Sequence, residues 1–246
     1  MDELEAVITN DDMPFEAAVR YYGERIPVTA GQFYRLAEKY RALAFTVSGY
    51  TTAQILRKFY DEILSAIENG TTMEAFRTEM NGFLEAQGYE GLTPFQADNI
   101  FRTNVQTAYQ AGHYEQMSDP EVLKLRPYWQ YDAVQDRKTR PSHKAMDGKV
   151  FRADSPVWDT WYPPNGFRCR CTVHSLSERQ VRERGLPVED EVPSMERLPD
   201  GRLVNLQPDP QFSTNPAKTR FDPELKGYPQ SLVKAYRTRQ KNGPNP

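Results

Sequence analysis

The sequence Pro163-Pro164-Asn165-Gly166-Phe167-Arg168-Cys169-Arg170-Cys171 contains both cysteines of this 246-residue chain. One residue separates the two thiols, so they face the same side wherever the backbone is a strand. Two of the three histidines, His143 and His174, lie in the same window of residues 132–174. Two cysteines are too few for a disulfide framework. Because both cysteines and two histidines lie in this window, it is the candidate site for chemistry.

The chain differs in composition on the two sides of residue 119. Only three of its 19 prolines come before that residue. Residues 1–118 carry a net charge of −8, whereas residues 119–246 carry one of +5. A change of proline density and of charge sign at one place predicts a domain boundary near residues 118–120.

The first half has the apolar period of helices. Ile55, Phe59, Ile63 and Ile67 repeat every four residues and stop at a glycine, which is a good left-handed cap. Capping boxes and an early proline are typical of helix starts. We predict five helices: residues 15–22, residues 31–45, residues 55–69, one opened by a capping box of Thr71 and Glu74, and one opened by Thr93-Pro94-x-Gln96 that ends before Gly112.

Downstream of Pro120 the pattern changes to short strands. Aromatic and polar residues alternate over 128–134, and residues 148–151 and 169–174 are predicted as two further strands. Beyond residue 186 the chain is rich in proline with little periodicity, which predicts an extended segment packed against something else. The fold class is therefore α+β. A helical N-terminal region (14–118) precedes a small mixed α/β, loop-rich domain (119–186) and an extended, proline-rich, basic C-terminal segment (187–246).

Composition excludes several classes of protein. No apolar run approaches the roughly 20 residues of a membrane-spanning helix, so we expect no membrane partner. The first five residues are acidic where a signal peptide is basic. The net charge of −3 and the pI near 5.8 also argue against a protein that coats nucleic acid along its whole surface.

A zinc site is one interpretation of the window. His143, Cys169, Cys171 and His174 offer four nitrogen and sulfur ligands, the number that a closed structural zinc site requires. The other interpretation is that two small thiols pack in a loop-rich core within a reducing compartment. The residues leave both interpretations open.

Catalysis is a further alternative. Asp132, Asp136 and His143 can hold a metal or act as acid and base, as in a metal-dependent hydrolase or nuclease acting on nucleic acid. The same aspartates are equally typical of turns and ion pairs. A thiol of Cys169 or Cys171, activated by a histidine and by the flanking arginines, is a third hypothesis. No complete catalytic motif accompanies either, so we expect a binding protein with no catalytic residues.

The C-terminal segment ends in a basic stretch. Residues 217–241 contain seven basic and two acidic side chains, together with Phe221, Tyr228 and Tyr236. Such a stretch can contact DNA phosphates or dock on an acidic protein. The aromatic residues interleaved with prolines favour a protein-docking arm.

The window resembles the Mu protein F-like domain of phage head morphogenesis proteins, also called minor head or minor capsid proteins. Two residues depart from the motif of this family. Lys138 lies inside its turn, and Ala217 occupies the position after Asn215-Pro216 where the family often has a glycine. Further likeness at residues 44–49, 102–112 and 212–216 extends the resemblance to about residues 14–216. The residues that match the motif are Asp136, Arg137, Thr139, Arg140, His143, Gly148, Pro164, Asn165, Arg168, Cys169, Arg170 and Cys171.

The resemblance implies a virion component of a tailed bacteriophage or prophage, built into the head in the cytoplasm of the bacterial host. It implies a role in capsid assembly and in genome packaging or delivery. The implied partners are the portal protein and the major capsid protein, with packaged DNA as a contact of the basic segment. We expect no cofactor, and zinc is a hypothesis that rests on the residues alone.

Overall fold

The structure is a computed structural model that describes residues 15–221 and 230–242. Residue 14, Lys226 and Tyr228 fall outside the described residues. Within the described ranges the chain forms helices and three small sheets, which confirms the predicted α+β class. No helix in these ranges combines the length and the apolar character needed to cross a membrane.

Helices make up most of the N-terminal region. The third helix, α3 (Ala53–Asn69), has Ile55, Phe59, Ile63 and Ile67 on its buried face, as their period predicts. Gly70 then adopts a φ of 67°, the left-handed conformation that ends this helix. The helices are α1 (Glu16–Gly23), α2 (Ala30–Arg35), α3 (Ala53–Asn69), α4 (Met73–Ala86) and α5 (Pro94–Met117).

The single helix predicted over residues 31–45 is wrong. After α2 the chain forms a 3₁₀ helix (Glu38–Leu43) and the strand β2 (Ala44–Phe45), which pairs in parallel with β1 (Ile26–Pro27). Leu36 and Leu43, whose spacing suggested a helix, are buried in one cluster with Leu232 and Tyr236 from the end of the chain. Their apolar spacing reflects contacts with distant residues, which a local period cannot distinguish from a helix face.

Two predicted helix boundaries also change. Thr72, not Thr71, caps α4, because its side chain accepts the Ala75 amide. The predicted capping box of Thr93 and Gln96 does open α5, but this helix continues past Gly112. A Cβ at Gly112 would lie 2.8 Å from the backbone nitrogen of Ala18. This glycine therefore lets α1 approach α5 and does not end the helix.

An antiparallel sheet of three strands lies at the centre of the second half of the chain, with the second strand along the chain (Val150–Arg152) and the third (Thr172–Leu176) on either side of the first (Tyr128–Asp132). Its strands are β3 (Tyr128–Asp132), β4 (Val150–Arg152) and β5 (Thr172–Leu176). Trp129 and Tyr131 alternate into the core as the aromatic pattern predicts. The third strand begins later than predicted, so Cys169 and Cys171 lie just before β5.

Four short helices surround this sheet: α6 (Pro120–Leu125), α7 (Pro141–Met146), α8 (Trp158–Trp161) and α9 (Glu178–Glu183). The long helix α5 contributes to both cores, since Ala97 and Ala108 pack in the N-terminal cluster and Met117 packs beside Trp129 in the second cluster. The domain ranges 14–118, 119–186 and 187–246 are not tested by this packing and stay predictions.

The segment beyond residue 187 folds back on the rest of the chain. It forms a hairpin of β6 (Met195–Arg197) and β7 (Leu203–Asn205), then α10 (Pro216–Phe221) and α11 (Gln230–Asn242). Asn215 caps α10 by accepting the amides of Ala217 and Lys218. The α11 helix buries Leu232 and Tyr236 against the N-terminal region.

Candidate functional site

The Cys-Arg-Cys block reaches β5 from a buried loop. Pro163, Pro164, Asn165 and Gly166 are all buried, and the Pro163–Pro164 peptide bond is cis. The Cys169 amide donates to the Gly166 carbonyl at 3.2 Å, which closes a tight turn. This loop fixes the direction in which both thiols enter the core.

The two thiols meet His143, which α7 carries into the same core. The Nδ1 atom of His143 lies 3.7 Å from Sγ of Cys169 and 3.4 Å from Sγ of Cys171. The three side chains are 1%, 4% and 2% exposed, respectively. Their burial removes the thiols from solvent, so this geometry offers no support for a cysteine nucleophile acting on a macromolecule.

The two sulfurs lie in one hydrogen-bonded cluster, and their pKa values shift in opposite directions. Hydrogen bonds from Cys171 and His143 hold the pKa of the Cys169 thiol well below its ordinary value. The neighbouring Cys169 and burial raise the pKa of the Cys171 thiol. Cys169 is therefore the sulfur that ionises first.

A buried amide packs beside this cluster. Asn165 is 0% exposed, accepts the Tyr131 hydroxyl at 2.9 Å through Oδ1, and donates through Nδ2 to the Thr160 carbonyl at 3.2 Å. Burial raises the pKa of Tyr131 well above its ordinary value, so the phenol remains a hydrogen-bond donor at neutral pH. Asn165 thus joins β3 to the loop that carries the cysteines.

Asp136 serves a turn and an ion pair. Its Oδ1 accepts the Lys138 and Thr139 amides at 2.9 and 3.1 Å. Both carboxylate oxygens accept from the Arg170 guanidinium at 2.7 Å. The Arg170 hydrogen bonds are the main cause that lowers the pKa of Asp136 far below its ordinary value. The predicted motif residues Asp136, Thr139 and Arg170 therefore lie together, although Arg170 is a partner that the sequence did not suggest.

The residues of the acid–base hypothesis have separate partners. Asp132 pairs with Nε2 of His174 at 2.9 Å on the exposed side of the sheet. Asp136 is held by Arg170, and His143 lies buried beside the cysteines. His174 is also apart from the predicted zinc ligands, because strand alternation turns Val173 inward and His174 outward. Three of the four predicted ligands come together and the fourth does not.

Arginines connect the outer side of the loop to the rest of the chain. Arg140 donates to the Phe167 carbonyl at 3.0 Å and pairs with Asp209 at 2.7 Å. Arg168, at a φ of 58°, pairs with Asp98 of α5 at 2.5 Å. These contacts fix the loop between α5 and the C-terminal segment.

The remaining predicted residues have simpler places. Arg137 is exposed in the turn. Gly148 has a φ of 78° in the turn before β4, where its amide donates to the Tyr131 carbonyl at 2.9 Å. Pro164 lines a groove of about 410 Å³ between the N-terminal region and the loop.

Sequence reasoning missed Tyr131, Asp98 and Asp209. No local signal marks the two aspartates, since their arginine partners are distant in sequence. Asn215-Pro216 does carry a signal, a cap followed by proline at the first helical position, which identifies α10.

Comparisons with known proteins show which family this chain resembles. The family described as phage Mu protein F like protein matches residues 57–174. The Mu-like prophage FluMu F protein of Haemophilus influenzae is 38% identical over 176 residues, which cover 67% of this chain and 42% of that protein. The putative capsid assembly protein F of Escherichia phage Mu is 35% identical over 191 residues, covering 71% and 43%. The chain thus spans less than half the length of these curated relatives. No solved structure matches it significantly.

Proposed function

Because the chain belongs to the phage Mu protein F-like family, we propose that it is a minor head protein that takes part in phage capsid assembly. The observation that carries the proposal is its 35% identity to a relative named putative capsid assembly protein F. Such a protein would be assembled into the head in the bacterial host cytoplasm and remain in the virion. As a head protein near the portal, it would act during genome packaging or genome delivery.

The aromatic groove supports a protein partner, which we take to be the portal protein or the major capsid protein. Phe33, Tyr34, Phe95, Phe167 and Phe212 are among the residues that line it. Phe95 is 65% exposed and Phe167 is 44% exposed. Exposed aromatic side chains around a concave surface are typical of the central part of a protein interface.

A DNA contact would use the outer face of α11. Leu232 and Tyr236 bury one face of this helix, while Lys234, Arg237 and Lys241 are exposed on another. Three cations on one exposed face can neutralise phosphates, and such binding weakens steeply with salt. Charge reversal at Lys234 and Arg237 should therefore reduce the salt dependence of DNA binding, with reversal of exposed Lys124 as the matched control.

The hydrolase or nuclease alternative finds less support in the geometry. Its three residues, Asp132, Asp136 and His143, are each engaged with a different partner. A plasmid-cleavage assay with Mg²⁺ and Mn²⁺ tests it directly. Cleavage by the native chain that is lost in Asp136→Asn would establish the enzyme and displace the assembly role.

The assembly role is tested in the phage or prophage that encodes the chain. Deleting its gene should reduce the yield of filled, infectious heads, and a complementing copy should be found in purified particles. Phe95→Lys should lower incorporation at least several-fold, since it places a charge in the groove. Leu125→Lys on α6, where the side chain is 73% exposed, is the matched control and should be incorporated normally.

Normal titre and normal heads without the gene would reject the assembly role. Equal incorporation of the Phe95→Lys and Leu125→Lys proteins would reject the groove as the docking surface while leaving the role itself in place.

A further inference from the structure

We propose that His143, Cys169 and Cys171 bind one zinc ion, through one imidazole nitrogen and two thiolates, as a structural site in the core of the second half of the chain. Their ligand atoms all lie within 4.8 Å of one another. The Nδ1 to Sγ distances are 3.7 and 3.4 Å. With Zn–S near 2.3 Å and Zn–N near 2.05 Å, tetrahedral coordination requires about 3.6 Å between nitrogen and sulfur. The side chains therefore need little movement to coordinate a metal.

The donor set selects the class of metal. Two sulfurs and one imidazole are soft and borderline ligands, which suit Zn²⁺ and disfavour Mg²⁺ and Ca²⁺. Binding converts both thiols to thiolates and releases two protons to solvent, while the imidazole coordinates in its neutral form. Two negative sulfurs balance the charge of the ion. A neutral site is needed here because all three side chains are buried.

The orientation of the imidazole supports the same assignment. Nδ1 faces both sulfurs, whereas Nε2 is buried and has no hydrogen-bond partner among the described residues. Nδ1 is therefore the ring nitrogen placed to coordinate, and Trp161 packs edge-on against the ring with the centroids 6.3 Å apart. Coordination through Nδ1 would place the proton on Nε2.

Burial also decides the role of the site. Three protein ligands are one fewer than a closed structural zinc site has, so a buried water would fill the fourth position. Ligand side chains that are at most 4% exposed leave no surface on which a substrate could reach that position. The ion would instead join α7 to the loop of residues 163–171, and so stabilise the loop that Arg140 and Asp209 hold from outside.

The structure supplies its own control for the test. His174 was predicted as a fourth ligand from the sequence, yet it is exposed and paired with Asp132. The full chain, purified under reducing conditions, should contain about one zinc per chain by elemental analysis. His174→Gln should keep this zinc, and Cys171→Ser should lose it.

Cobalt provides a second measurement that does not depend on the folding of a variant. Native chain refolded with Co²⁺ should show the intense visible bands of tetrahedral cobalt and the near-ultraviolet thiolate charge-transfer band. Zinc should then displace the cobalt and abolish these bands. A native chain that takes up neither metal would overturn the proposal, as would equal loss of zinc from His174→Gln and Cys171→Ser. In that case the short distances describe a hydrogen bond between imidazole and thiols.

Discussion

Asn165→Ala is the most informative single change in the site, because the amide is fully buried and joins two elements. Its Oδ1 accepts the Tyr131 hydroxyl at 2.9 Å, and its Nδ2 donates to the Thr160 carbonyl at 3.2 Å. A third contact, to the Tyr162 carbonyl at 3.5 Å, is too long to count as a strong bond. The substitution therefore removes the amide that pairs with the buried Tyr131 hydroxyl and with the half-buried Thr160 carbonyl.

The expected loss follows from these two groups. A buried donor or acceptor left unpaired costs about 1–3 kcal/mol. We therefore expect Asn165→Ala to lower the free energy of unfolding by about 2–4 kcal/mol, with about 1–3 kcal/mol from the buried hydroxyl and about 1 kcal/mol from the half-buried carbonyl. This is a large part of the roughly 5–15 kcal/mol typical of a domain. Asn69→Ala, at an exposed amide at the end of α3, should change it by less than about 0.5 kcal/mol.

A double-mutant cycle isolates the hydrogen bond itself. Tyr131→Phe removes the hydroxyl, so Asn165→Ala made in that background should cost about 1–3 kcal/mol less than in the native chain. Urea unfolding followed by tryptophan fluorescence is a suitable assay, because Trp129, Trp158 and Trp161 all lie in the core beside this site. A coupling energy near zero would refute the role that we give to the Tyr131–Asn165 bond.

Three further perturbations test other parts of the structure. Gly112→Ala should lower the free energy of unfolding by about 1–3 kcal/mol, because the added Cβ overpacks against α1. The control Gly82→Ala has nothing within 4 Å of the added Cβ and should raise the free energy of unfolding by about 0.5–1 kcal/mol. Similar urea midpoints for the two variants would contradict the close approach of the helices. The pKa of Asp136 is lower in the folded chain, so the unfolded chain binds more protons at acid pH. The stability from this carboxylate is complete above about pH 5 and is lost as the pH falls through the unfolded pKa of about 3.9 towards the folded one. Asp136→Asn should therefore flatten the acid-side decline in stability, and an unchanged decline in urea titrations would count against the ion pair. Gly166→Ala should displace Asp209, because the new Cβ would lie 2.5 Å from its carboxylate. Hydrogen exchange at the Asp209 amide, which donates to the Asn165 carbonyl, should then become faster. Unchanged exchange would show that the contact between Gly166 and Asp209 is not tight.

Local signals predicted the elements that local interactions form. The capping box of Thr93 and Gln96 starts α5 where expected, and the glycine after α3 ends that helix, because caps and left-handed residues act within one turn. The predictions that failed depend on distant contacts. Residues 31–45 leave the helix because Leu36 and Leu43 pack with the end of the chain, and α5 passes Gly112 because α1 packs there.

The candidate site also has residues that the sequence identifies and contacts that only the structure shows. The window of residues 132–174 identified the cysteines and His143, but only the structure shows that α7 brings His143 against both sulfurs. The exclusion of His174 was within reach of the sequence. Cys169, Cys171 and residue 173 have the same strand parity, so residue 174 has the opposite one. The partners of Arg140 and Arg168 were not within reach, because nothing local to Asp209 or Asp98 marks them.

The alternation of the Cys-Arg-Cys block explains why the two parts of the motif occur together in one chain. Cys169 and Cys171 turn inward to His143, while Arg170 between them turns outward to Asp136. Asp136 begins the turn that leads into α7, and His143 lies within that helix. Three consecutive residues therefore hold both ends of residues 136–143, one end by an ion pair and the other by the thiols. A shift of one residue in this block would bury a guanidinium and expose a thiol, so the cost of burying a charge fixes which residues face inward. The motif is thus accounted for by packing and charge pairing, with or without a metal between the thiols and the imidazole.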